Sequence, residues 1–98
     1  MNINIKWTAA ALEDYLSNIE YLEIHWTDSE VTKFIDEVDN IITLLKVGNV
    51  VFKQSKYRNV FELPVVPKIQ LFYRFIDDYT IELLRFWNNK KNPKSLKL

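Results

Sequence analysis

The sequence predicts an α+β domain: an N-terminal strand, an antiparallel helical hairpin, then a three-stranded antiparallel meander, in the order β-α-α-β-β-β. Three patterns predict it. Residues 2–7 alternate polar and apolar with a period of two. Residues 8–48 carry two apolar stripes at three- and four-residue steps, interrupted by Thr27-Asp28-Ser29-Glu30. Residues 69–76 and 80–87 are dense in aromatic and β-branched side chains and are joined by Asp77-Asp78. At 98 residues the chain is expected to form a single domain, 1–98, with one core of moderate thickness.

In the first strand Ile3, Ile5 and Trp7 share one face, and Asn2, Asn4 and Lys6 the other. Thr8 stands at the N-cap of a helix that opens on Ala9-Ala10-Ala11, the strongest of helix formers. Leu12, Tyr15, Ile19, Leu22 and Trp26 form its apolar stripe, with Glu13, Asp14, Glu20 and Glu23 largely off it. Thr27 and Glu30 make a capping box that ends one helix and starts the next. The second helix presents Val31, Phe34, Ile35, Val38, Ile41, Ile42 and Leu45, and ends at Lys46 and Gly48. Neither stripe can be hidden by its own helix, so the hairpin must lie on the sheet or fold on itself.

Val50-Val51-Phe52 reads as a strand start or an apolar anchor, and Val60-Phe61-Glu62-Leu63 as a strand. Pro64 and Pro67 flank Val65-Val66; a prolyl nitrogen donates no ladder hydrogen bond, so this part is an edge, a bulge or a connecting loop. The strands on either side of Asp77-Asp78 are apolar on both faces, which puts them at the centre of the sheet. The expected core is Leu12, Ile19, Leu22, Phe34, Val38, Ile42, Leu71, Tyr73 and Leu83. Trp7 and Trp26 belong to the core or its edge. Trp87 ends the last strand, as a core residue or as one that a partner covers. Residues 94–98 are expected to fray.

The chain is 48% hydrophobic and has one glycine, which excludes a disordered chain. It has no cysteine, so disulfides and thiolate metal sites are excluded and a reducing cytoplasm is the simplest setting. No run approaches the roughly 20 apolar residues of a membrane span, and the N-terminus has no signal-peptide core. The net charge of zero conceals a division. Residues 1–45 hold nine acids against two bases, a net −7, and residues 46–98 hold eleven bases against four acids, a net +7. The basic half is suited to phosphates or to an acidic protein segment.

Most catalytic signatures are missing. His25 is the sole histidine and reads as a surface or interface residue; Gly48 is the sole glycine, so there is no phosphate-cradling loop. Asp77-Asp78 is explained by a turn better than by a pair of catalytic carboxylates. The serious candidate is a basic group, Lys53, Lys56, Arg58, Lys68, Arg74, Lys90 and Lys91, with Trp87 beside it. Such a group can steady phosphate charge, with Tyr57 and Tyr73 available to stack on bases, or it can dock an acidic segment, or it can be a solvated rim. The weak catalytic candidates are Arg58, Arg74, Lys90 and Lys91. An unperturbed lysine, with a pKa of about 10.4, is no general base at neutral pH.

Phe72-Tyr73-Arg74-Phe75-Ile76-Asp77-Asp78, Ile81-Glu82-Leu83-Leu84-Arg85-Phe86-Trp87 and Asn89-Lys90-Lys91-Asn92-Pro93 together resemble the C-terminal half of the RelE/ParE superfamily of bacterial toxins. Trp7-Thr8 and the helix from Ala11 to Leu22 fit its N-terminal pattern, so the resemblance covers nearly the whole chain. It implies a toxin of a type II toxin–antitoxin module, neutralised by a cognate antitoxin protein, without metal or other cofactor. It implies a fold in which the first strand returns to pair with the late ones. For the target it implies either translation, through metal-independent, ribosome-dependent mRNA cleavage, or DNA gyrase; a catalytically inactive relative kept as a protein-binding module is the alternative. Gln70 stands where the ribonuclease branch has an arginine, Lys90 stands where an arginine follows the last strand, and Ser95 lies near the position of a C-terminal tyrosine. These departures suit the gyrase-poisoning branch better.

Overall fold

The computed structural model describes residues 2–48, 50, 52–90 and 93–98. Strand β1 (Asn4–Trp7) leads into helices α1 (Ala9–His25) and α2 (Asp28–Val47). Strands β2 (Lys53–Gln54), β3 (Phe61–Val66), β4 (Ile69–Asp77) and β5 (Thr80–Asn88) follow, and a single 3-10 turn (Pro93–Ser95) closes the chain. The strands form one sheet in the order β1-β5-β4-β3-β2. The expected meander is β3-β4-β5, antiparallel throughout, with β4 and β5 central; the two-residue β2 adds an edge beside Phe61 and Glu62. β1 returns to lie parallel to β5, with Asn4 opposite Thr80 and Trp7 opposite Leu83.

Local chemistry sets the boundaries. The Thr8 hydroxyl accepts from the Ala11 amide and caps α1, and Thr27 caps α2 by accepting from the Glu30 amide. Gly48 ends α2 at φ 81°, the left-handed conformation that costs a residue without Cβ least. The Tyr79 amide donates to Asp77 Oδ1 at 2.8 Å, which makes the β4–β5 link the Asp-built turn that the sequence predicts. Pro64 lies inside β3, opposite Gln70, next to a register shift. β2 reaches only to Glu62 and Phe61, so on that side the proline meets no ladder that needs its missing N–H.

The helical hairpin covers one face of the sheet, over Leu63, Val65, Ile69, Leu71, Tyr73, Ile81, Leu83 and Phe86. From α2 come Phe34, Val38, Ile41 and Leu45; Val31, Ile35 and Ile42 of the expected stripe are only partly buried, so Ile42, expected in the core, lies at its edge. α1 departs from the expectation. Its buried side is Ala11, Asp14, Asn18 and Leu22; Tyr15 and Ile19 are only partly buried, and Leu12 is 49% exposed. Leu12 is therefore not a core residue, and Asp14, expected on the polar side, is buried.

The reason is at β5. β1 pairs only as far as Leu83, so the edge of β5 beyond it needs other partners. α1 supplies them: Asp14 Oδ2 accepts from the Phe86 amide at 3.1 Å, and Asn18 Nδ2 donates to the Phe86 carbonyl at 3.0 Å. Two polar side chains one helical turn apart finish the ladder of one residue, and meeting them rotates α1 away from its most apolar face. Leu22→Ala, at 2% exposure, is expected to cost about 2–5 kcal/mol in chemical denaturation, and Leu12→Ala no more than about 0.5 kcal/mol. Equal losses would mean that α1 packs in the register of its apolar stripe.

Tyr73, expected both in the core and as a base-stacking ring, is core only. It is fully buried, stacked on Phe61 at 5.5 Å with Phe52 and Phe75 edge-on. Burial pushes its phenol pKa up; the nearby Phe52 backbone eases that shift but makes no hydrogen bond of good geometry to the hydroxyl. A phenol whose folded pKa is raised contributes full stability below its unfolded pKa of about 10 and loses it as pH climbs through the folded value. Thermal stability should therefore fall above pH ~10, and Tyr73→Phe should shallow that fall. Tyr15, raised by burial and then by Asp39, keeps the remainder. At neutral pH Tyr73→Phe should be neutral or mildly stabilising, because it removes a buried hydroxyl that lacks a hydrogen-bond partner among the described residues.

Candidate functional site

The other face of the sheet is free of helices. Its floor is a small second cluster of Val60, Phe72 and Trp87, with Tyr57, Leu84 and Leu96 packed against it. A hollow of about 490 Å³ lies on this floor, lined by Lys53, Lys56, Tyr57, Gln70, Phe72, Trp87 and Leu96 among others. A second hollow of about 420 Å³ adjoins it at Tyr57, with Arg58, Arg74, Leu84 and Leu98 in its walls.

The loop of residues 55–60 places two of the cations. The Ser55 amide donates to the Val60 carbonyl at 2.8 Å, and the Ser55 hydroxyl accepts from the Tyr57 amide at 3.0 Å. Asn59 takes φ 60°, which asparagine tolerates better than most residues. Lys56 thereby stands over the Tyr57 ring at 5.4 Å, and Arg58 reaches the second hollow. The other two cations of this face are countered from the sheet itself. Arg74 makes a 2.9 Å pair with Glu82, its cross-strand neighbour, and Lys53 is 4.0 Å from Glu62. These exposed pairs contribute little to stability. They do reduce the field of the face, setting two carboxylates against these four cations.

The basic group of the sequence is thus divided. Lys53, Lys56, Arg58 and Arg74 share the open face with Trp87. Lys68 and Lys90 are turned to the helical side, where Lys68 Nζ stands 4.9 Å from the Trp26 ring and Lys90 Nζ 5.5 Å from the Tyr21 ring. Lys91 lies outside the described residues. Trp87 is 6% exposed, covered by Leu96 of the chain's own tail and by the Arg85 guanidinium, 5.2 Å from its ring. His25 is exposed beside Tyr21.

Sequence reasoning missed the group that ties the two faces together. A β-bulge sets Phe72 opposite Arg85 and Tyr73 opposite Leu83, leaving Leu84 as the extra residue. The Thr8 hydroxyl donates to the carbonyls of Leu83 and Leu84 there, at 2.9 and 3.1 Å. Arg85, just past the bulge, meets Asp14 with a two-pronged contact, Nε to Oδ2 at 2.6 Å and Nη2 to Oδ1 at 3.0 Å. Its Nη1 donates to the Lys97 carbonyl at 3.2 Å, so the same guanidinium holds the tail over the open face. In the tail expected to fray, Leu96 packs on the second cluster and the Lys97 carbonyl accepts from Arg85. Asp14 raises the Arg85 pKa by hydrogen bonding, against a smaller opposite effect of burial, so the cation is permanent. The signal in the sequence was Asp14 and Asn18 at i and i+4, one position off the apolar stripe.

The sheet thus carries helices on one face and cations around an aromatic floor on the other. This architecture is a known one. The chain resembles the chromosomal ParDE toxin–antitoxin system of P. aeruginosa, with a TM-score of 0.71 and 16% identity over 88% of this chain and 95% of that one. It also resembles the YoeB dimer of Staphylococcus aureus, with a TM-score of 0.59 and 17% identity over 88% and 95% of the two chains. For the E. coli DinJ–YafQ toxin–antitoxin complex the TM-score is 0.61 and the identity 13%, over 92% and 96%. At such identities the likeness is one of fold. No match was found among curated protein sequences. The sequence model of a family described as the ParE toxin of the parDE type II toxin–antitoxin system matches residues 5–93, from the first strand to the start of the tail, so the chain belongs to the ParE toxin family.

Proposed function

We propose that this chain is a growth-inhibiting toxin of the cytoplasm, silenced by a cognate protein antitoxin, and that it acts by seating on a target of the DNA gyrase type and not by cutting mRNA. The observation that carries the reading is the division of the cations. Hydrolytic or transesterifying RNA cleavage needs several charges converging on one phosphate, with a proton acceptor beside the attacking hydroxyl. Here neutral Gln70, Phe72 and Trp87 occupy the middle of the open face, Arg74 is committed to Glu82, and Lys90 stands on Tyr21 across the sheet. No histidine lies among the residues lining either hollow. A face of this kind binds by area and charge. Membership of the ParE family supports the same reading.

An antitoxin partner is supported by relatives of this fold that were solved as toxin–antitoxin complexes, YoeB–YefM of S. aureus and DinJ–YafQ of E. coli. The partner segment should be amphipathic, bringing carboxylates to Lys56 and Arg58, which have no ion-pair partner among the described residues. Association should slow as salt rises, because exposed charges steer encounter over a screening length of about 8–10 Å. An on-rate that does not change with salt would refute the charge-steered part of this reading.

Induction in a bacterial host tests the function. Growth arrest with filamentation and altered plasmid supercoiling, without mapped mRNA cuts, is the expected result. The double variant Lys56→Glu/Arg58→Glu should relieve the arrest while leaving the melting temperature unchanged. Discrete cuts at ribosomal A sites would overturn the choice of target. Normal growth with a partner still bound would leave a protein-binding module in place of a toxin.

A further inference from the structure

On the helical side, where α1 passes the end of β5, a pocket of about 280 Å³ is lined by Ser17, Asn18, Tyr21, Asn88 and Lys90. It lies across the sheet from the two hollows and shares no lining residue with them. Its back wall is two buried amides in fixed orientations. Asn18 Nδ2 is committed to the Phe86 carbonyl, and Asn88 Oδ1 accepts from the Lys90 amide at 3.0 Å. Asn88 Nδ2 is left with one long contact, 3.5 Å to Asn18 Oδ1, so one of its two hydrogens has no acceptor among the described residues. A buried donor of that kind calls for a partner.

The remaining walls supply donors too. The hydroxyls of Ser17 and Tyr21, one helical turn apart on α1, make no hydrogen bond among the described residues. Lys90 Nζ lies over the Tyr21 ring and pairs with no carboxylate there. Among the described residues the pocket thus offers an amide N–H, two hydroxyls and one ammonium, and no negative charge lines it.

We infer that this pocket is a carboxylate-binding site. A planar two-oxygen anion can accept from Lys90 and Asn88 together while Ser17 or Tyr21 closes the remaining lone pairs. Among the described residues the one cation, Lys90, matches one negative charge. The walls hold neither a second cation nor an arginine fork among the described residues, which disfavours a phosphate dianion. The carboxylate comes either from a free small acid or from an acidic side chain of a bound protein segment. The inference does not depend on the toxin's target or on its toxicity.

The test is a two-dimensional amide NMR titration of the purified chain at constant ionic strength, with sodium acetate, N-acetylglutamate α-amide and inorganic phosphate as probes. Saturable shifts at the Asn88 side-chain NH2 and the Ser17 amide are expected with a carboxylate probe. Binding should weaken at least fivefold in Lys90→Met, which keeps the stem on Tyr21, and again in Ser17→Ala. Tighter binding of the glutamate probe than of acetate assigns the source to a protein segment; the reverse order assigns it to a free acid. Failure of both carboxylates to saturate, equal binding in Lys90→Met, or phosphate binding more tightly than either would overturn the proposal.

Discussion

Asp14→Ala is expected to cost about 3–5 kcal/mol, enough to unfold a large fraction of a domain whose total stability is on the order of 5–15 kcal/mol. The variant does three things at once. It leaves the Arg85 guanidinium, whose side chain is only 19% exposed, without its anion. It strips the Phe86 amide of its acceptor at the unpaired edge of β5. It also loosens the hold of Arg85 on the Lys97 carbonyl, because the guanidinium is no longer fixed from the helix side. Urea denaturation measures the first two effects, and the rate of carboxypeptidase trimming at the C-terminus measures the third. Two further variants separate charge from geometry. Asp14→Asn keeps an acceptor for Phe86 and should fall between the wild type and alanine. Asp14→Leu/Arg85→Met removes both charges and should recover part of the loss, since a buried pair replaced by apolar groups is often nearly neutral. A loss below about 1 kcal/mol for Asp14→Ala would reduce the contact to the standing of an ordinary surface pair.

Phe86→Ala should cost about 3–5 kcal/mol by a different route. Its ring is 1% exposed and lies 5.4 Å from Trp7, 5.9 Å from Tyr15 and 6.5 Å from Phe34. It therefore joins β1, both helices and the sheet in one contact group. Truncation opens a cavity where these elements meet, and the aromatic neighbours cannot collapse into it without pulling Asp14 and Asn18 of α1 away from the Phe86 backbone. Phe86→Leu should cost less than half as much, because most of the volume remains. The energies of Phe86→Ala and Asp14→Ala should not add: both act on α1 where it docks on β5, and a coupling of at least 0.5 kcal/mol is expected from a double-mutant cycle. Strict additivity would mean that the polar seam and the aromatic cluster hold the helix independently.

The sequence by itself determined the kinds of element and most of their ends. Thr8, Thr27 and Gly48 act within one or two turns of the chain, and the Asp77 turn closes within three residues, so their physics is local and legible. The buried side of α2, Phe34, Val38, Ile41 and Leu45, was legible for the same reason: it meets apolar neighbours, and period alone identifies it. The central position of β4 and β5 followed from strands that are apolar on both faces. Tertiary structure decided the rest. The rotation of α1 depends on the unpaired edge of β5, a need created by how far β1 runs, and the side chains that meet it, Asn18 and Asp14, are 68 and 72 residues away in sequence from Phe86. An apolar stripe read alone puts Leu12 inside and Asp14 outside; a free N–H and a free C=O at Phe86 reverse that choice, because an unpaired backbone group in the core costs more than an exposed leucine. The division of the basic group has the same origin. Lys53, Lys56, Arg58, Lys68, Arg74 and Lys90 share a sign, and sequence can only pool them. The pleat of the strands and the turns that end them send four to one face and two to the other.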